Sequence, residues 1–458
     1  MNLFSNIPAF LLMIGVLVVV HEYGHYRVAV ACGVKVLRFS VGFGRVLWRR
    51  QASPDGTEFV LCLLPLGGYV KMLDEREAPV APNELGRAFN RKPLMQRVAI
   101  VAAGPVANLL LAVVLYAATN WIGIDEAKAV MGSPVAGSLA DKAGLRSGDW
   151  VREWSADGAE WHELRSMTDL RWEVTQAVVR GQPLQLTVTD RAGHARRTVS
   201  LALQSLGSTE VDPTLMQRIG LGYPFREAVL GEIKTGEPGA RAGLRSGDRV
   251  LAIDGVAMVD AFAVRDAIRA AVRNGVAQTM QWRVERAGQS LEISVTPSVV
   301  GEGEKQIGRI GVDPGQPSEM VNVRYGPIEG LTHAASQTWQ MSTLTLKMLG
   351  KMVIGQASLK NLSGPITIAD VAGQSMRLGV AYYLGVMAVV SIGLGVLNLL
   401  PLPVLDGGHL MYYLFEGVTG KPVSELWLDR LQRGGVAIML MMMSLALYND
   451  VARLLGLQ

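Results

Sequence analysis

The sequence predicts a polytopic α-helical membrane protein with four transmembrane helices, a β-rich region after the first of them, and a duplicated external module. Three observations predict this. Four apolar segments are spread along a chain of 458 residues that is 49% hydrophobic and only 18% charged. The first segment runs straight into H-E-x-x-H at 21–25, and the heptapeptide AGLRSGD occurs twice between the second and the third. Mean hydropathy is +0.25. The formal charge of +4 is small and unevenly placed, which bears on topology. No basic–aromatic surface pattern stands in the chain, so no nucleic-acid partner is expected.

Residues 1–31 read as the first transmembrane helix. Ile7 to Val20 is apolar apart from Gly15, and VVVHEYGHYRVAVA continues it. The stretch has no basic n-region and leads directly into the motif, so it is expected to be a retained helix and not a removed leader. Residues 32–97 follow as a basic segment in which 38–50 and 57–72 read as glycine-broken strands. The second helix, 98–122, is VAIVAAGPVANLLLAVVLYAATNWI. The third helix with its LDG element covers 378–409; its span, about Leu378–Leu402, is nearly uncharged, and the segment ends in NLLPLPVLDGGH. The fourth, 430–452, has a short uninterrupted core, GGVAIMLMMMSLALY, against the roughly 20 residues a span needs. Its continuation through Asn449 and Asp450 is expected to reach the headgroups. Small residues inside these segments allow close helix contacts.

Charge sets the orientation. Ten Lys and Arg side chains lie between Lys35 and Lys92, and nothing before the first helix is basic. Positive charge stays inside, so 32–97 is cytoplasmic, both termini are outside, and the long segment after the second helix is outside. The motif at 21–25 and Asp406 then fall near the cytoplasmic ends of their helices. Cys32 and Cys62 are the only cysteines, so the external segment holds no disulfide.

The chemistry is concentrated in two places. His21 and His25 are one turn apart on a helix and share a face, with Glu22 beside them. Zinc needs at least three protein ligands and an open position for catalysis, and Asp406 supplies the third. Ionisable groups at membrane depth are expensive and mostly functional. The expectation is a Zn2+ site of His21, His25 and Asp406, with Glu22 as general base. His409 is expected to support the site without being a ligand. Asn398, just before Pro401 and Pro403, either hydrogen-bonds a substrate backbone or packs helices.

Each AGLRSGD copy, at 143–149 and 242–248, precedes alternating apolar residues such as LQLTVTD and MQWRVER. The repeats look like PDZ domains, where a glycine-rich turn leads to D-x-[VI]. Two are assigned, 125–207 and 215–300. Such modules take a peptide as an added strand, or in tandem they filter substrates by size. Residues 320–376 read as a linker carrying an amphipathic surface helix, with Leu331, Ala334, Leu344, Met348 and Met352 on one face.

With HEYGH at 21–25, GPVAN at 104–108, the duplicated element and NLLPLPVLDGGH at 398–409, the chain resembles the bacterial site-2 proteases over nearly its whole length. The resemblance implies a multi-pass zinc protease of the bacterial inner membrane, with both PDZ domains and both termini periplasmic and the active site near the cytoplasmic side. It implies single-pass membrane substrates, trimmed beforehand by another protease, such as anti-sigma factors and signal-peptide remnants. Surrounding lipid is the other expected partner. It also implies that 32–97 is a membrane-associated β region and that Asn398 binds substrate. A metal-dependent transporter would instead show inverted repeats within the membrane. A catalytically inactive PDZ-bearing scaffold would have no need of H-E-x-x-H with a distant aspartate.

Overall fold

The helices that organise the chain are α1 (Leu3–Ala31), α2 (Leu94–Ile122), α3 (Met167–Arg180), α4 (Ala261–Ala270), α5 (Pro327–Val353), α6 (Pro365–Leu378), α7 (Val380–Asn398), α8 (Asp406–Thr419) and α9 (Glu425–Leu454). The computed structural model describes residues 3–206, 214–301, 306–314, 316–354 and 364–454. Residues 207–213, from the last residue of the first expected module into the gap before the second, and 355–363, within the expected linker, lie outside the described residues. The chain divides into a unit of residues 1–124 with 324–458 and a second unit of 125–323.

In the first unit, α1, α2, α7 and α9 each carry a stretch long and apolar enough to cross a bilayer: Asn6–Ala31, Leu94–Ile122, Val380–Asn398 and Leu426–Arg453. The shortest, 19 residues, still spans roughly 28 Å as a helix, close to the hydrocarbon thickness. The core of the unit joins Met13 and Leu17 of α1, Leu115 and Tyr116 of α2, and Met387, Ile392 and Val396 of α7. Lipid tails are as apolar as these side chains, so close packing and hydrogen bonds decide which helices meet. A Cβ on Gly24 would stand 2.5 Å from the Ala103 carbonyl oxygen, and one on Gly395 3.0 Å from that of Pro105. Ser391 Oγ donates to the Asn108 carbonyl at 2.7 Å, and Tyr383 Oη to that of Ala9 at 2.6 Å.

Within 320–376, where the sequence suggests one surface helix, the described residues hold two, α5 and α6. Ala334 of α5 is fully buried in the same core as α2 and α7, and Asn120 Nδ2 donates to the Gly330 carbonyl at 2.9 Å. Ala372 of α6 is equally buried. An apolar stripe has the same period whether it faces headgroups or another helix, so periodicity does not distinguish them.

Asn449 and Asp450, read from sequence as the polar end of the last span, are both buried, Asp450 to 1% exposure. Asp450 accepts from the Gly364, Ile366 and Thr367 amides at 3.0, 2.9 and 3.1 Å. It thus caps the start of α6 from a different helix, where α6 has no capping side chain of its own. Asp450→Ala is expected to cost about 1–3 kcal/mol, because it leaves buried amides without an acceptor. Thermal unfolding of the purified chain in detergent would read this as a lowered Tm. An unchanged Tm would remove the cap from the account of stability.

Between α1 and α2, β1 (Val36–Gln51) pairs antiparallel with β2 (Glu58–Met72). The two long strands fold over: Phe39 is opposite Val70 on one side and Phe59 on the other, and Arg50 is opposite Phe59 further on. The bend runs through Gly42 and Gly44, both at φ +87°, where L-residues are strained. Tyr26 of α1 meets Phe39 and Phe59 edge-on at 5.7 and 5.5 Å, which seats the sheet on α1. Phe43, Leu47, Trp48, Leu63 and Leu64 stand exposed on the sheet.

The second unit carries two four-stranded sheets of the same order. One runs His162–Glu163, Trp150–Ser155, Leu184–Thr189, Arg197–Leu201; the other runs Val256–Ala257, Arg249–Ile253, Met280–Arg286, Gln289–Val295. α3 covers the first core with Leu170 and Val174, and α4 contributes Val264 to the second. The first core also takes in Leu215, Ile219 and Leu221, and the second takes in Ile310.

The repeated heptapeptide does the same work twice. Asp149 accepts from the Arg146 amide at 2.7 Å, and Asp248 from that of Arg245 at 2.8 Å, closing the turn before each strand. Each also pairs with an arginine of its own sheet, Asp248 with Arg286 on the adjacent strand and Asp149 with Arg197 two strands away. Burial by itself would raise the Asp248 carboxyl, but the bonds from Arg286 and the Arg245 amide outweigh it and hold it below the usual range. This support is complete above the ordinary carboxylate pKa and is lost as pH falls through the lowered one.

Candidate metal centre

The centre is assembled on α1, whose apolar turns Val16–Val20 continue without a break into His21 and His25. The four-residue spacing projects both rings from one face. Asp406 comes from 381 positions further along the chain than His25. α7 ends at Asn398, and the chain turns through Leu399–Leu405, which holds Pro401 and Pro403, before α8 begins with Asp406. Gly407 and Gly408 permit that tight return, since a Cβ would lie 2.1 Å from the Leu400 carbonyl oxygen or 2.3 Å from that of Leu402. α8 is anchored further along by Glu416, which takes a two-pronged salt bridge from Arg97 of α2 at 2.6 and 3.1 Å. The Arg97 guanidinium also lies 5.0 Å from the centre of the Tyr413 ring.

The three candidate ligand atoms converge. His21 Nε2 is 3.2 Å and His25 Nε2 3.5 Å from Asp406 Oδ2, and the two Nε2 atoms are 3.3 Å apart. Nitrogen and oxygen ligands about 2.0–2.1 Å from a tetrahedral zinc lie roughly 3.3–3.4 Å from each other. The spacing therefore suits zinc, and the set of two imidazoles and one carboxylate is the kind that leaves a fourth position open. His25 Nδ1 is 2.8 Å from the Ile100 carbonyl oxygen, which can only accept. His25 therefore carries its proton on Nδ1 and presents a bare Nε2 to the site.

Gly104 of α2 makes room for both rings. A Cβ there would fall 2.2 Å from His25 Nε2 and 2.9 Å from His21 Cε1. One turn further along α2, Asn108 reaches His21: its Nδ2 is 3.3 Å from His21 Nδ1. Glu22 is half-buried beside the cluster and outside the ligand set, with His25, His21 and Asp406 as its electrostatic neighbours. Its Cγ approaches Gly68 of β2, where a Cβ would come within 3.1 Å of it.

His21, Glu22, His25 and Asp406, all named from the sequence, come together here. Asn398 is half-buried at the end of α7, directly before the turn that delivers Asp406. His409 lies a turn beyond Asp406 and meets Tyr412 edge-on at 5.9 Å; it is not part of the clustered ligand set. Sequence reasoning assigned no role to Gly104, Asn108, Arg97 or Glu416. GPVAN at 104–108 carried the only signal for the first two, as a motif without a stated job.

Comparison with known proteins agrees with this geometry. The sequence profile of peptidase family M50 matches residues 9–442. A candidate zinc metalloprotease of Ralstonia nicotianae is 42% identical over 465 residues, with 98% of each chain covered. The regulator of sigma-E protease RseP of Escherichia coli is 39% identical over 461 residues, covering 98% of this chain and 99% of its own. The protein called regulator of sigma-E protease RseP in Salmonella typhimurium is also 39% identical, covering 99% of this chain and all of its own.

Proposed function

This chain belongs to peptidase family M50, and we propose that its substrates are single-pass membrane proteins already trimmed of their external part, with anti-sigma factors and signal-peptide remnants as the substrate classes. It is a multi-pass inner-membrane zinc metalloprotease, an intramembrane endopeptidase of the site-2 kind. The observation that carries the reading is the convergence of His21, His25 and Asp406 from membrane-embedded helix and adjoining turn onto one zinc-sized point. The Escherichia coli relative is named for regulation of sigma-E, which supports an anti-sigma factor as substrate.

His21, His25 and Asp406 hold the zinc. When bound, zinc supplies Lewis acidity toward water and the scissile carbonyl. Glu22 takes the proton from the attacking water and delivers it to the leaving nitrogen, a role that suits a carboxylate beside the ligand set and not in it. Asn398 hydrogen-bonds the substrate main chain at the edge of the site. A peptide bond within a helix is shielded by its own hydrogen bonds, so the substrate must be extended before attack. The 68–72 end of β2, close to Glu22 through Gly68, offers an edge for that extended segment. The exposed Phe43, Leu47, Trp48, Leu63 and Leu64 support seating of the 32–97 region in the membrane.

The two repeated sheets of 125–323 are tandem PDZ domains that filter substrates by size. Their like strand order and the like turns at Asp149 and Asp248 support this. Comparing two substrates with one transmembrane segment, one trimmed and one carrying a folded external domain, tests it. The whole chain is expected to cut the first and spare the second, and a chain lacking 125–323 is expected to cut both. Rejection of the untrimmed substrate by a folded, active deletion variant would exclude the filter.

The basic 32–97 region supports an active site toward the cytoplasm and a PDZ pair in the periplasm. Cysteine probes in intact cells are expected to react at Gly301 and to react at Asp74 only after permeabilisation. The reverse order would invert the topology and separate the site from release of a cytoplasmic product.

A further inference from the structure

Asn108 is fully buried, and Ser391 on α7 fixes its backbone by donating to its carbonyl at 2.7 Å. Among the described residues its side chain has one hydrogen-bond partner, His21 Nδ1, 3.3 Å from Nδ2. Its Oδ1 is buried with no hydrogen-bond partner among the described residues. With Nδ2 toward the ring, Nδ1 must accept, and the imidazole proton then sits on Nε2. Nε2 is the atom that faces Asp406 and His25, and a nitrogen that carries a proton is not a metal ligand. Turning the amide over exchanges two groups of almost the same size. Oδ1 then accepts from Nδ1–H, and Nε2 keeps its lone pair for the site.

The exchange passes the unpartnered position to Nδ2, so the protein by itself has little preference between the two orientations. The need for a bare Nε2 is what decides. His25 meets the same need with a backbone group, the Ile100 carbonyl at 2.8 Å. No backbone carbonyl plays that part for His21 among its described hydrogen bonds. Its described side-chain partners are Asn108 at Nδ1 and His25 and Asp406 at Nε2.

We propose that Asn108 is a positioning residue: its side-chain carbonyl holds His21 in the Nδ1–H tautomer and so keeps Nε2 available to zinc. The proposal rests on the zinc reading of the site, and it is read through affinity for the metal, independently of cleavage. The spacing of Gly104 and Asn108 gains a meaning from it. One turn of α2 gives way to the rings and the next sets the tautomer of one of them.

The test is a competition titration of zinc against a chromophoric chelator, with the full chain purified in detergent. Asn108→Asp keeps an acceptor oxygen and lacks the amide N–H, and it is expected to bind within about threefold of the parent or more tightly, whereas Asn108→Ala is expected to lose about 10–100-fold. Parental affinity in the alanine variant would overturn the proposal. So would a loss in the aspartate variant exceeding about tenfold, and that criterion decides alone if the alanine variant does not fold. His21→Ala serves as the reference. If it retains parental affinity, the zinc assignment to His21 fails, and the role of Asn108 falls with it for a separately identifiable reason.

Discussion

Glu22→Gln is expected to retain parental zinc content and to lower cleavage by about 10²–10⁴-fold, the range general acid–base groups contribute. The two readouts separate because Glu22 stands outside the ligand set of His21, His25 and Asp406. The amide matches the carboxylate in shape but cannot take a proton from water near neutral pH. The approach of its Cγ to Gly68 is also preserved. The experiment reconstitutes both forms with a tagged single-pass substrate and measures product against bound zinc. Turnover near the parental rate by a zinc-loaded glutamine variant would take proton transfer away from Glu22. Loss of zinc together with activity would instead make Glu22 part of the metal's binding.

Gly104→Ala is expected to remove both zinc and activity through a single methyl group. The added Cβ would lie 2.2 Å from His25 Nε2, 2.6 Å from His25 Cε1 and 2.9 Å from His21 Cε1. No real side chains approach so closely, so the rings must move, and a ligand displaced by even 1 Å leaves the spacing zinc requires. The helix does not oppose the change. Alanine is a better helix former than glycine by about 1 kcal/mol, so a loss of zinc cannot be put down to a weakened α2. Gly15→Ala is the matched control, since a Cβ there meets nothing within 4 Å. Metal analysis and cleavage of the folded variants give the answer. Full zinc occupancy in Gly104→Ala would mean that the rings can be accommodated elsewhere without loss.

The sequence by itself determined the features that depend on neighbours a few residues apart. Four apolar runs marked the spanning helices, because crossing a bilayer requires about 20 apolar residues in sequence. His21 and His25 were legible as a pair because one helical turn brings positions four apart to one face. The duplicated AGLRSGD was legible as two like turns, because Asp149 and Asp248 act on amides three residues away. Asp406 was nameable from its setting in LPLPVLDGGH, directly after a spanning segment, although its distance from the histidines was not.

Tertiary structure decided whatever depends on contacts between distant parts of the chain. It brought Asp406 within 3.5 Å of both histidines through a turn whose glycines allow no Cβ. It gave Gly104 and Asn108 their places against the rings, though helix propensity treats them as an ordinary glycine and an ordinary polar residue. It turned Asp450 from the polar end of a span into the cap of α6, more than 80 positions away. It also folded β1 and β2 over themselves, which alternation alone does not encode. The physical reason is common to these cases. Local period says which face of an element is apolar, but in a membrane lipid satisfies that face as well as protein does. Only small residues, buried polar groups and their partners choose which faces meet, and those partners are separated by tens to hundreds of residues.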